Sequence, residues 1–277
     1  MVTGQNYTIL QKTNSINTNQ ANRLSVQVTL YGLSFLFHSS ESNSPILIEK
    51  VFETAITPEE VLDEMKKFFN EQHLLPKKIE TISVLFSSPY YTLVPSSLFD
   101  ETKPSDYLKF NTKILAQDFV SYDEIENQDI ILVYIPYVNI NNYLFEKFGN
   151  FQYYHSVGVL LQYFLNKEKY SIETKVLLNV EKDWFDCIIL SGGKVQLCNS
   201  YPYKSLEDFL YFTLFNFEQL SINPDTVKVL LCGRISENDL LFEFLYRYIR
   251  NVSFLEENLL PLNNEPSHKN FVLKALH

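Results

Sequence analysis

Residues 175–198 read KVLLNVEKDWFDCIILSGGKVQLC. The apolar runs at 175–180, 185–190 and 195–198 have strand length, and turn chemistry separates them. Ser191-Gly192-Gly193-Lys194 is a hairpin turn, because glycine supplies the positive φ that a two-residue connection demands. Three consecutive antiparallel strands are predicted. Ser205-Leu206-Glu207-Asp208 then opens a helix with a Ser cap. The run VKVLL at 227–231 is the next strand, so the segment reads βββαβ.

The same order stands earlier in the chain. Runs at 24–30, 33–37 and 46–52 predict three short strands, and TISVLF at 81–86 a fourth. Between them, Thr57-Pro58-Glu59-Glu60 combines a Thr cap, Pro at the first helical position and Glu at the third. Val61, Leu62, Met65, Phe68 and Phe69 follow at helical spacing against charged Asp63, Glu64, Lys66 and Lys67. The two units keep a nearly constant offset: Val26 to Val176 is 150 positions, Thr57 to Ser205 is 148, and Thr81 to Thr226 is 145. A duplicated α/β chain is expected, with a flexible lead at 1–22, a first half at 23–150, a second at 151–260 and a tail at 261–277.

Other stretches fit around this plan. DIILVYI at 129–135 is a strand buried on both faces, and 151–167 is a strand end leading into a helix. Ser236-Glu237-Asn238-Asp239 caps a helix that turns Leu241, Phe244, Leu245 and Tyr248 inward. The helix at about 205–220 carries Leu206, Phe209, Leu210, Leu214 and Phe217 on one face and Tyr211, Phe212 and Phe215 elsewhere, which predicts burial between layers. Residues 88–128 are an insertion that the second half lacks; its acidic stretch, Asp118, Asp123, Glu124, Glu126 and Asp129, reads as an exposed loop. In the tail, Phe271-Val272-Leu273 docks as a strand or helix turn.

Composition excludes several classes of function. Hydrophobic residues are 45% of the 277 and aromatics 15%, which is enough apolar surface to offset the entropy of ordering. Net charge is −10; residues 23–150 hold 10 basic and 18 acidic groups and residues 151–260 hold 10 and 14. With both halves acidic and no stretch interleaving Lys/Arg with aromatics, no direct nucleic-acid contact is expected. No apolar run approaches the roughly 18 residues of a membrane span, and the N-terminus lacks the pattern of a secretory signal, so a soluble cytoplasmic protein without membrane insertion is expected. Cys187, Cys198 and Cys232 read as small core residues, and neither they nor the five His residues show metal-ligand spacing. Walker A, G-x-S-x-G and H-E-x-x-H motifs are missing. His155 reads as a core or capping residue rather than a base.

A βββαβ unit that occurs twice in a chain of this length resembles the ribonuclease-H-like, actin-like superfamily of FtsA and PilM. From about residue 20 to 260 the chain also resembles the DUF3822 family of Bacteroidetes. The likeness is carried by NRLSVQVTLYGLSFLF at 22–37, TKVLLNVEKDWFDCIILSGGKVQLCNSYPYKSLEDFL at 174–210 and VKVLLCGRISENDLL at 227–241. The resemblance implies a duplicated actin-like ATPase fold with mixed sheets. An ATPase of that fold needs two Asp-x-Gly turns around the phosphates and an adenosine strand ending in Gly-Gly, because only glycine lets the backbone approach so closely.

Here the first turn reads Thr29-Leu30-Tyr31-Gly32, with no preceding carboxylate. The second reads Asn179-Val180-Glu181-Lys182, with Asn for Asp and Glu for Gly. The adenosine strand ends Leu230-Leu231-Cys232-Gly233, one Gly short. Gly32, Asn179 and Gly233 are therefore the remnant positions of a nucleotide site, with Gly32 serving a tight turn and Gly233 a close strand-to-helix passage. Asp183 and Asp186 flank Trp184 and read as a solvated strand edge. No catalytic residue, metal or cofactor is assigned. The expected function is a pseudo-enzyme scaffold that binds another protein; the alternative is a kinase-like or ATPase-like enzyme binding a nucleotide or other small molecule in a divergent interdomain cleft.

Overall fold

The computed structural model describes residues 8–9, 23–39, 42–71, 79–110, 112, 114, 118–257, 259–262 and 265–276. Of the expected lead at 1–22, only β1 (Thr8–Ile9) is among them, paired antiparallel with Glu49 and Ile48 of the third strand that follows. The next strands, β2 (Arg23–Thr29), β3 (Gly32–Ser39) and β4 (Ser42–Val51), form an antiparallel meander. After α1 (Pro58–Glu71), β5 (Thr81–Phe86) returns parallel to β2. The six residues of β2 after Arg23 are all buried, which explains why the run is apolar without strict alternation. The predicted start of α1 is realised as a reciprocal capping box: Thr57 N–H donates to Glu60 Oε2 at 2.8 Å, and Glu60 N–H to Thr57 Oγ1 at 3.3 Å. The apolar face of α1 lands on β3, where Phe35 and Phe68 stack at 3.8 Å with their planes 7° apart.

The insertion is a small sheet of its own. β6 (Tyr91–Pro95), a short α2 (Ser105–Leu108), β7 (Ser121–Ile125) and β8 (Ile130–Tyr134) give the strand order β6-β8-β7, all antiparallel. The apolar run at 129–135 is thus the centre of this extra sheet and not a strand of either large one. Its acidic stretch is not simply an exposed loop. Asp123 lies in β7, largely buried, accepting the Tyr134 hydroxyl at 3.0 Å and the His155 N–H at 2.8 Å, and burial pushes its carboxyl up to about 6.

The chain then runs through α3 (Val138–Phe148), β9 (Gln152–His155) and α4 (Ser156–Lys167). β9 adds parallel to β5, which gives the first large sheet the order β1-β4-β3-β2-β5-β9. His155 caps α4, its Nδ1 accepting the Val157 N–H at 3.3 Å.

The second sheet repeats the pattern. The meander β10 (Thr174–Val180), β11 (Trp184–Ser191) and β12 (Lys194–Pro202) is followed by α5 (Leu206–Gln219). Then come β13 (Lys228–Gly233), α6 (Leu240–Tyr246), β14 (Asn251–Phe254) and α7 (Phe271–Ala275). β13 pairs parallel with β10 and β14 parallel with β13, so the order is β12-β11-β10-β13-β14. Strand for strand, order and sense match β4-β3-β2-β5-β9 of the first sheet.

Two helices depart from expectation. Asp239, not Ser236, is the cap of α6, accepting the Ser236 N–H at 2.7 Å, and Tyr248 lies exposed beyond the helix end. α5 is not wrapped by layers: it buries Phe209, Leu210, Thr213, Asn216 and Phe217 while Tyr211 is 62% and Phe215 40% exposed. The helix held between the halves is α4, which buries Val157, Leu160, Leu161, Phe164 and Leu165 and touches β9, β11, β12 and α7. α7 closes the assembly, with Phe271, Val272 and Leu273 in the same core as β2 and β13. Among the described residues, no helix is long and apolar enough to cross a membrane and no cluster of His, Cys, Asp and Glu could hold a metal ion.

Candidate functional site

Each large sheet carries a row of polar side chains, and the two rows meet at one cavity. On the first, Gln27, Ser34 and Glu49 are in register across β2, β3 and β4. Ser34 Oγ donates to Glu49 Oε1 at 3.2 Å, and Gln27 Nε2 donates to Ser87 Oγ at 3.0 Å. On the second, Ser200, Asp186, Asn179 and Cys232 occupy one level across β12, β11, β10 and β13. Asn179 Nδ2 donates to Asp186 Oδ2 at 2.9 Å, Ser200 Oγ donates to Asp186 Oδ1, and the Cys232 thiol donates to Asn179 Oδ1 at 3.5 Å. Gln27, Ser34, Glu49 and Asn179 border a cavity of about 320 Å³, at the small end of ligand pockets, which run roughly 300–1,000 Å³.

All three sequence-derived positions, Gly32, Asn179 and Gly233, line this one cavity. Both glycines have structural work there. A Cβ on Gly32 would stand 2.6 Å from the Lys50 carbonyl oxygen across the meander. Gly233 has φ +88°, and a Cβ would stand 2.3 Å from the Val180 carbonyl oxygen, where β13 lies against β10. The Gly233 N–H donates to the His268 carbonyl at 3.0 Å and the Arg234 N–H to the Val180 carbonyl at 2.7 Å.

Two features fill the space around these positions. The first is the C-terminal segment: Glu265, Lys269, Asn270, Phe271 and Val272 form one wall. The segment is pinned by a buried ion pair between Lys274 and Glu265 at 3.3 Å and by His268, whose Nε2 meets the Ile235 carbonyl at 2.8 Å while its ring stacks on Phe254. Burial pushes the Glu265 carboxyl up and the Lys274 ammonium down, each opposed by the other's charge. The second feature is a latch between the β2–β3 and β10–β11 turns. The Tyr31 hydroxyl donates to the Asp183 carboxylate, and its ring lies 6.0 Å from Trp184. Burial and the Asp183 carboxylate push the Tyr31 hydroxyl up to about 12. Lys182 reaches across to the Phe52 carbonyl at 3.0 Å and sits 5.6 Å from the Tyr31 ring.

The electrostatics of the cavity are acidic. Glu49, Glu181, Asp239 and Glu265 face it against Arg234 and Lys269. Burial raises the Glu181 carboxyl to about 7, opposed by the Arg234 guanidinium, whose Nε is 3.5 Å away. Asp186 is not the solvated edge expected from alternation. It is fully buried within the row, and desolvation lifts it to about 6 against the hydrogen bonds from Ser200 and Asn179. Burial raises all three thiols, Cys198 to about 12, so none is a ready nucleophile. The two cavity-lining cations, Glu49 and the C-terminal wall carried no local sequence signal beyond the apolar run at 271–273.

A family model described as "Protein of unknown function (DUF3822)" matches residues 11–252. No curated protein matches. A Bacteroides thetaiotaomicron protein described as having an "actin-like ATPase fold and unknown function" superposes with a TM-score of 0.79 at 21% identity, over 96% of this chain and 98% of that one. The PilM-PilN type IV pilus biogenesis complex gives a TM-score of 0.54 at 12% identity, over 86% and 89%. The chain therefore has an actin-like ATPase fold with mixed sheets.

Proposed function

The chain belongs to the DUF3822 family, and from that premise we propose that it is a non-catalytic, pseudo-ATPase member of the actin-like fold, a scaffold that binds another protein. On this reading the two sheets are the halves of a duplicated ribonuclease-H-like plan, 23–150 and 151–260, with β9 reaching back to complete the first. One observation carries the proposal: Tyr31 touches Asp183 and Trp184 where an ATPase of this fold would hold its two turns apart around a metal-bound phosphate. The Gly233 N–H, at the end of the strand that would carry adenosine, is already taken by the His268 carbonyl. Among the described lining residues, four carboxyl groups against two cations also oppose a triphosphate.

Thermal unfolding in millimolar Mg·ATP, Mg·ADP or either nucleotide alone tests this. A site filled at about 100 times its Kd stabilises the fold by about 2.7 kcal/mol, several degrees for a chain of this size. No saturable shift is expected. A saturable shift that Asn179→Leu abolishes overturns the proposal and favours the nucleotide-binding enzyme.

The outer stripe of α5 supports a protein partner. Leu210, Tyr211, Leu214 and Phe215, joined by Phe244 and Tyr248, line a groove with Glu207 at one end and Glu218 at the other. An antiparallel copy of the same stripe would set Glu207 against Glu218, like charges beside an apolar contact. A partner helix with apolar residues at helical spacing and Lys or Arg at both ends fits instead. The fold neighbour in the PilM-PilN complex gives a precedent for a protein pair. A photo-crosslinking residue at position 215 is expected to form a discrete adduct in the native cell that E207K/E218K removes; the absence of an adduct, or one indifferent to those reversals, counts against this surface.

A further inference from the structure

On the outer side of the latch lies a second cavity, of about 210 Å³, walled by aromatic rings that four separate segments supply. Tyr31 comes from the β2–β3 turn, Tyr90 from the link before β6, Tyr137 from the cap of α3, and Trp184 from the first position of β11. The Tyr31 and Trp184 planes are inclined by 43°, so they are not stacked face to face, and Tyr137 meets Phe86 edge-on at 80°. Tyr90 is 48% exposed and leaves one side open to solvent. Asp183 contributes a carboxylate, and among the described lining residues there is no Lys, Arg or His. Lys182 is near the Tyr31 ring, but its ammonium is bound to the Phe52 and Glu53 carbonyls and does not line the cavity.

Ring faces carry negative quadrupole potential, and each attracts a cation by about 0.5–2 kcal/mol, more as water is excluded. Rings do not replace the hydrogen bonds that a primary ammonium gives up on leaving water, whereas a methylated ammonium gives up few. We propose that this aromatic box with Asp183 at its side binds a methylated ammonium group, carried by a trimethylammonium metabolite or by a methylated lysine side chain. The box shares no lining residue with the cavity that holds Gly32, Asn179 and Gly233, but Tyr31, Asp183 and Trp184 are the latch itself, so the inference rests on the closed latch of the proposed function. Loss of choline binding with no nucleotide shift overturns the box alone.

Trp184 is the only tryptophan in the chain, so fluorescence excited at the red edge of the tryptophan band, where tyrosine does not absorb, reports on the surroundings of this ring. Titration with choline is expected to give a saturable change. Ethanolamine, and the neutral isostere with carbon in place of nitrogen, are expected to bind about tenfold more weakly or worse. Tyr90→Ala and Asp183→Asn each weaken choline binding severalfold; Tyr90→Ala keeps the melting temperature, because Tyr90 is half exposed. A trimethyllysine peptide binding tighter than choline identifies a protein source, and the reverse order a metabolite. Three outcomes overturn the proposal: no saturable change with choline or the peptide, equal binding of the neutral isostere, or an unchanged constant in Tyr90→Ala.

Discussion

Gly233→Ala lowers the unfolding free energy by about 4 kcal/mol, at the extreme end of single substitutions, or prevents folding. Two costs add. The backbone at φ +88° lies where an L side chain costs roughly 1–2 kcal/mol. The new methyl would also stand 2.3 Å from the Val180 carbonyl oxygen, 2.7 Å from Asn179 Oδ1 and 3.0 Å from Val180 N. Two of those atoms are backbone of the central strand β10, so relief requires moving β13 off β10. That movement puts the Arg234 N–H bond to Val180 and the Gly233 N–H bond to His268 at risk. Gly192→Ala is the control, because its φ is +57° but no atom of the described residues beyond its chain neighbours lies within 4 Å of the added carbon. It is expected to cost only about 1 kcal/mol. Urea unfolding of both variants separates conformation from collision. Equal losses in the two would show that β13 yields freely and that Gly233 is not required by packing.

That pair of glycines also shows what was legible in the sequence. Gly192-Gly193 announces its hairpin locally, through a two-residue turn between apolar runs, and the structure has it there. Thr57 and Ser205 likewise announced their helices, and both form reciprocal capping boxes. Gly32, Asn179 and Gly233 are the positions that the actin-like resemblance assigns to the phosphate turns and the adenosine strand, and all three line one cavity. The misses are long-range. Asp186 looked solvated because alternation describes one strand. Its burial comes with partners at 179 and 200 on the strands either side. Asp123 looked like loop charge because its partners, Tyr134 and His155, lie 11 and 32 positions away. α5 reads as apolar nearly all round and so as the helix between layers, but the packing of the two sheets assigns that place to α4.

Glu181→Gln is expected to remove about 1.4 kcal/mol from the stability that the protein gains as pH falls from 8 to 6. Glu181 titrates near 7 when folded against 4.5 when unfolded, because burial outweighs the Arg234 charge. Between those values the native state binds more protons than the unfolded chain, so stability falls as pH rises. Across pH 6 to 8 the Glu181 contribution is about 1.4 kcal/mol. Asp186 and Asp123, each raised to about 6 by burial, act in the same direction but mostly below pH 6. His155 acts oppositely. Burial holds it near 3, so the unfolded chain gains its proton around 6.5 while the folded chain does not. Over this window the His155 loss and the gain from the two aspartates nearly cancel, each about 0.8 kcal/mol. Burial lowers His38 and His268, which act with His155, and raises Glu265, which acts with Glu181, so the Glu181 part is read from the difference between wild type and variant. Glu181→Gln should therefore flatten the slope above pH 6 and leave a variant at least as stable as the wild type at pH 8, since a neutral amide carries no buried-charge penalty. Urea melts at pH 6, 7 and 8 decide the matter. A slope unchanged in the variant would assign the proton to another group, and a variant much weaker at pH 8 would mean that the pairing with Arg234 outweighs the burial of Glu181.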